Sequence, residues 1–341
     1  MSSSNRVTMV EIAEESGVSL STVSLVLRDR PGVGADTRER VRDVANRLGY
    51  ILKSAQYRSS LQNVGLILKT EPGTTPQTNP FYSHVLAGIE SACRQWQVNL
   101  LYATVPVDPD SHPLELPRLL AEEDTADGLL LVGAFLDNTV AQVVARQSTP
   151  IVLVDAYAAT DAYDSVVSDN FEGAYGATTY LIEQGHRHIG LVATHPQAYP
   201  SIKERRRGYV QALQDHGIAE PCFADCHLGR EEARDATVDL LRRAPQVTAI
   251  LCANDEVAIV AMEAAQAEGR QIPDDLSVIG FDDIDLAEHV SPALTTMHVD
   301  KIGMGRLAIQ LLINRVEYPD AGPVTTYIHP RLVERESVRR L

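Results

Sequence analysis

The sequence predicts two parts: a three-helix unit of helix-turn-helix type at the N-terminus, followed by a larger α/β body of doubly wound parallel sheet. Three observations predict this. Residues 8–27 read as two short helices joined at Gly17. Val41, Val44, Ala45 and Leu48 recur at i, i+3, i+4 and i+7, one apolar face of a third helix over 36–48. From Val64 onward, short apolar runs alternate with amphipathic stretches, the pattern of a parallel sheet covered by helices.

The first helix has a start signal. Thr8 and Glu11 fit a capping box, in which each side chain satisfies a free amide of the other residue. Ser19 can cap the second helix, which leaves Leu20, Ser21 and Thr22 at its N-terminal end, the end that a DNA-binding helix-turn-helix points into the major groove. A helical hairpin with no role on DNA has the same local pattern.

The body reads as strands at 64–68, 128–132, 151–154, 189–192, 249–252 and 277–281, with helices at 82–96, 170–184, 205–216 and 256–268. Open α/β sheets bind ligands beyond the carboxyl ends of their strands. Asp155, the pair Asn254 and Asp255, and the pair Asp282 and Asp283 stand there. No G-x-G-x-x-G follows the first strand, and G-x-x-x-x-G-K-[ST], G-x-S-x-G and H-E-x-x-H are absent. An enzyme and a bound cofactor are therefore not expected. Cys222, Cys226 and His227 do not have the spacing of a zinc knuckle, so the four cysteines are expected to be reduced and structural, with no metal.

The 341 residues suit two or three domains. Met1 to Arg6 is polar, and no apolar run approaches a membrane span, so a cytoplasmic protein with no membrane partner is expected. The net charge is −16, but it is divided unevenly. Residues 1–60 hold nine Lys/Arg and seven Asp/Glu, a balance of +2, so the remainder carries −18. The body should repel nucleic acid and the N-terminal unit should touch it locally.

From Val7 to Tyr50 the chain resembles, without gaps, the headpiece of the lac-repressor (LacI/GalR) family. The resemblance rests on Val7-Thr8-Met9, Glu11-Ile12-Ala13, Gly17-Val18-Ser19, Thr22-Val23-Ser24, Thr37-Arg38-Glu39-Arg40-Val41 and Leu48-Gly49-Tyr50. It continues through Asn79-Pro80-Phe81, Asp127-Gly128, Ser168-Asp169-Asn170, Ala253-Asn254-Asp255, Phe281-Asp282-Asp283 and Arg335-Glu336-Ser337. It implies a body of two lobes like a periplasmic binding protein, with a small-molecule cleft between them. The implied organisation is a DNA-binding domain over 1–50, a short hinge over 51–63 and an effector-binding and dimerisation domain over 64–341.

The implied function is a sequence-specific transcriptional regulator, a repressor whose affinity for a pseudo-palindromic operator is modulated by a small molecule. The alternative is a cytoplasmic sugar-binding module with weakened or lost operator binding. A homodimer is expected, since each headpiece reads one half-site; the C-terminus lacks heptads for a tetramer. The resemblance places base-reading positions on Leu20, Ser21 and Leu25. It places phosphate-contacting positions on Thr8, Ser19, Thr22, Ser24, Arg28, Thr37 and Tyr50. Gly34 stands where the family often has serine. In the hinge, Arg58 is a DNA-contact candidate and Leu61 a displaced candidate for the leucine that the family wedges into the minor groove. The implied effector site comprises Asn79, Phe81 and Tyr82 from the first lobe, with Asp155, Asp169, Arg205, Asn254 and Asp282. Asp169 also reads as a helix N-cap. An aromatic wall with several groups that match hydroxyls favours a sugar or related polyol.

Overall fold

Thr8 opens helix α1 (Met9–Ser16) through the capping box read from the sequence: its amide donates to Glu11 Oε2 at 2.6 Å, and the Glu11 amide donates to Thr8 Oγ1 at 3.4 Å. Gly17 ends α1 at φ 68°, a left-handed conformation that costs glycine little. Ser19 Oγ accepts the Thr22 amide at 3.1 Å and starts α2 (Leu20–Leu27). Helix α3 (Ala35–Arg47) completes the unit. Its core is small: Ile12, Ala13, Val23, Val26, Val41, Val44 and Ala45, with Leu48 packed beside them.

The structure is a computed structural model that describes residues 8–27, 32–48, 61–70, 79–107, 114–121, 125–133, 135–136, 149–158, 162–218 and 220–341. Arg28, Tyr50 and Arg58, expected to contact DNA, lie outside the described residues. The chain divides into two compact units, residues 1–58 and 59–341.

The second unit contains two lobes. The first is built from β1 (Asn63–Thr70), α4 (Pro80–Trp96), β2 (Asn99–Pro106), α5 (Arg118–Ala121), β3 (Gly128–Val132), β4 (Phe135–Leu136), β5 (Ile151–Val154), β6 (Tyr157–Ala158) and β7 (Asp164–Ser168). The second comprises α6 (Asn170–Glu183), β8 (Ile189–Val192), α7 (Pro200–Asp215), β9 (Cys222–Ala224), α8 (Arg230–Arg243), β10 (Ala249–Cys252), α9 (Asp255–Ala267), β11 (Ser277–Asp282) and β12 (Thr295–His298). The chain then returns to the first lobe for α10 (Lys301–Glu317) and β13 (Thr325–Ile328), and ends in the second with β14 (Arg331–Val333).

The sheet orders are β2-β1-β3-β5-β7-β13 and β9-β8-β10-β11-β12-β14, the same strand order twice. All pairings are parallel except β12 with β14. A short pair, β4 and β6, stands apart. In each sheet the strand order reverses beside the first strand, and such a switch point opens a crevice at the carboxyl ends of the strands.

Three segments cross between the lobes, at Asp169, at Asp300 and at residues 329–330. Helix α10 lies against α4 with the backbones almost touching: a Cβ at Gly88 would sit 2.2 Å from Ile302 O, and one at Gly305 would sit 2.2 Å from Val85 O. Only glycine fits at either position.

Leu61 is a correction. It is 3% exposed and packs in the core with Val64 and Leu66, so it is not available to DNA as a minor-groove wedge. Its burial starts the body, where the Gln62 and Asn63 amides both donate to Asp127 Oδ2 at 2.7 Å.

Candidate functional site

The carboxyl ends of β5, β8 and β11 carry a shared irregularity. Asp155, Ala193, Asp282 and Asp283 have φ values of 46°, 61°, 106° and 54°, in the region that side-chain-bearing residues avoid. Such conformations persist where the surrounding structure enforces them, often at ligand sites.

Arg205 occupies the centre of this region. It projects from α7, is 6% exposed, and its guanidinium carbon stands 3.7 Å from the Phe281 ring centroid. Nε donates to Asn170 Oδ1 at 2.8 Å, Nη1 to the Ala253 carbonyl, and Nη2 to Asp282 Oδ1 at 3.0 Å. Each of its three nitrogens thus donates to a different partner. Asn170 extends the network: its Nδ2 donates to the Ser168 carbonyl at 3.0 Å and to Tyr157 Oη at 3.1 Å, which ties Arg205 to the first lobe.

Asp155 faces this arrangement from the first lobe. Tyr82 Oη donates to Asp155 Oδ2 at 3.0 Å. Burial pushes the Asp155 carboxyl up to about 7, aided by Asp282 and opposed by Arg205 and the Tyr82 hydroxyl. Burial and the Asp155 charge raise Tyr82 well above the usual phenol range. Burial also raises Asp282, against the lowering influence of Arg205 and Lys301. Lys301 Nζ donates to the backbone carbonyls of Asp282 and Asp283 and so holds the strained β11 turn.

Besides Asn170 with Tyr157, side-chain contacts between the lobes among the described residues include His84 Nε2 with Asp285 Oδ1 at 3.3 Å, and Lys69 Nζ at 3.8 Å from the Tyr199 ring centroid.

The structure brings together Tyr82, Asp155, Arg205 and Asp282. It gives Asn79, Asp169 and Asn254 helix-cap roles. Asn79 Oδ1 accepts the Phe81 and Tyr82 amides at 3.0 Å each, and so positions Tyr82. Asp169 Oδ1 accepts the Glu172 amide at 3.2 Å, and Asn254 Oδ1 accepts the Val257 amide at 2.9 Å. Phe81 is buried in the core, edge-on to Tyr82, with ring centroids 5.2 Å apart. Tyr157, Asn170, Phe281 and Lys301 were not read as site residues. Nothing local to Asn170 signals that it holds a guanidinium 35 positions away.

On the N-terminal unit, Leu20 and Leu25 are 49% and 38% exposed, and Ser21 is exposed beside them. Ser24 and Thr37 are half-buried. Ser19 Oγ lies 2.7 Å from Ser21 Oγ and 2.8 Å from Thr22 Oγ1.

Residues 8–52 match the bacterial regulatory proteins of the lacI family, and residues 178–338 match a periplasmic binding protein-like domain. The ribose operon repressor of Haemophilus influenzae is 32% identical, across 98% of this chain and 99% of its own length. The chain belongs to the lacI family. The PurR transcriptional repressor of Vibrio atlanticus is also 32% identical to this lacI-family protein, over 98% and 99% of the two chains. Among solved structures, a complex of the transcriptional regulator CelR with cellobiose superimposes with a TM-score of 0.71 at 28% identity, covering 97% of this chain and 100% of that one. A lac repressor dimer bound to operator shares the fold, with a TM-score of 0.68 at 24% identity over 98% and 100% of the chains. This lacI-family chain is thus a DNA-binding transcriptional regulator. Among its described residues, no helix is long and apolar enough to cross a membrane, and no group of three or more His, Cys, Asp or Glu could hold a metal ion.

Proposed function

We propose that the protein is a cytoplasmic, homodimeric repressor whose hold on a pseudo-palindromic operator is set by a neutral polyhydroxylated molecule, a sugar or related polyol, bound between the lobes. The observation that carries this reading is the set Tyr82, Asp155, Arg205 and Asp282 at the carboxyl ends of the strands. It gathers a guanidinium, a phenol hydroxyl and two carboxylates, the donors and acceptors that complement vicinal hydroxyls. A ribose operon repressor among the relatives and cellobiose in the CelR complex agree with that class. Thr8, Ser19, Thr22, Ser24, Thr37 and Arg28 would set the register on phosphates, and α2 would enter the major groove.

A thermal-shift screen against sugars, polyols, sugar phosphates and nucleobases tests the effector class, because a ligand selective for the folded state raises the melting temperature by mass action. Stabilisation by a sugar or polyol supports the proposal. Stabilisation by nucleobases alone would replace it.

Asp155 gives the reading a pH signature. A ligand hydroxyl that donates to Asp155 binds its ionised form, so binding below about pH 7 must displace a proton. Affinity is expected to rise between pH 6 and 8 and then level off. Asp155→Asn should weaken binding by about 10- to 100-fold, the worth of a hydrogen bond to a charged group, and flatten the pH profile. Stability should move the other way. A carboxyl with a raised folded-state pKa contributes stability that is fully present below its unfolded pKa and is lost as pH rises through about 7. Ligand-free Asp155→Asn should therefore melt above the wild type at pH 8. Calorimetric titration and melting at both pH values check this.

A further inference from the structure

Helix α2 reads LSTVSLVL, with no charged residue and no amide side chain. Its buried residues are Val23 and Val26. Leu20, Ser21 and Leu25 are exposed on its other side, at positions i, i+1 and i+5, with half-buried Ser24 completing that side. The hydroxyl of Ser21 is turned back toward Ser19 Oγ at 2.7 Å, and Ser19 Oγ also accepts the Thr22 amide. The polar atoms of the helix start are thus engaged with one another, and Leu20 and Leu25 are the large side chains on the exposed side of α2.

Neither leucine can form the paired hydrogen bonds that read guanine or adenine in the major groove. The one feature of that groove that an aliphatic side chain recognises is the C5-methyl group of thymine. Leucines that stand 49% and 38% exposed in the free protein lose apolar surface to water on meeting such a methyl and lose nothing by desolvation of a polar group. Opposite a guanine or cytosine edge, they would instead cover a donor or acceptor with no partner.

We propose that this repressor reads its operator half-site through thymine C5-methyl groups packed against Leu20 and Leu25, with no guanine-specific contact from α2. The proposal rests on the reading of α2 as the helix that enters the major groove.

The test uses the full-length protein. A consensus site is selected from random duplex DNA, and each thymine of the half-site is then replaced in turn by deoxyuridine, which removes the methyl and leaves the base pair intact. At one or two thymines, affinity is expected to fall about fourfold per methyl, the equivalent of burying one methylene. Leu20→Ala and Leu25→Ala should each abolish the sensitivity at one of these positions. Both side chains are exposed, so the variants keep the fold, and their melting temperatures report it. Binding to unrelated DNA should not change, because the outward face of α2 carries no cation to neutralise phosphate. A consensus whose affinity is indifferent to every deoxyuridine would overturn the methyl reading and leave DNA binding intact. If no consensus is enriched, the placement of α2 in the groove falls as well.

Discussion

Arg205→Ala should destabilise residues 59–341 by about 3–5 kcal/mol and abolish effector binding, because it leaves Asp282 buried without its guanidinium partner. The change also releases Asn170 and exposes the Phe281 face that the guanidinium covers. Arg205→Lys separates charge from shape. An ammonium can neutralise Asp282, but it cannot reach Asn170, the Ala253 carbonyl and Asp282 in one plane as the fork does. Urea unfolding should therefore show partial recovery of stability in Arg205→Lys, while calorimetry shows no recovery of binding. Arg205→Ala at wild-type stability would mean that Asp282 is stabilised chiefly by Lys301 and the β11 turn.

The second large effect falls on the N-terminal unit. Ile12 has no exposed surface and stands among seven buried residues. Ile12→Ala should cost about 2–5 kcal/mol. A unit of this size buries little apolar surface and has small reserves, so most of it should unfold. Operator affinity then falls in proportion to the folded fraction, an expected loss of 100-fold or more. The two units are separately compact, so effector binding and the main melting transition should be preserved. Operator titration, with circular dichroism to follow helix loss, checks this. Loss of both functions together would show that the larger unit depends on the smaller for its fold.

The legible parts of the fold were those with local signals. The Thr8 and Glu11 box, the left-handed Gly17 and the Ser19 cap are interactions between near neighbours, and all three took the form their spacing implied. Six buried strands announced themselves by unbroken apolar runs, and β3, β5, β8 and β10 begin and end where those runs do. Strand β7 carried no such signal. Its sequence is DSVVS; it is buried between β5 and β13, and its Asp164 is paired by Arg315 at 2.7 and 2.8 Å from 151 positions away. Strand β2 is an edge, with Leu101 and Tyr102 exposed, so its inward and outward residues do not separate by polarity. In the site, Asp155 and Asp282 were readable because they end strands, and Arg205 by its resemblance to a family position. The roles of Tyr157, Asn170 and Phe281 were not readable, because Tyr157 acts across the lobes and Asn170 and Phe281 act on Arg205, which is remote from both in sequence.

The most direct test of the account measures the affinity of the full-length protein for its selected operator, with and without a saturating ligand from the thermal-shift screen, and then the affinity for that ligand with and without operator. Coupling between two sites on one molecule is reciprocal. Both affinities are expected to change by the same factor, and Asp155→Asn should shrink the response at a given ligand concentration while leaving ligand-free operator binding in place. Operator affinity that is unchanged by a ligand saturating the cleft would contradict this expectation.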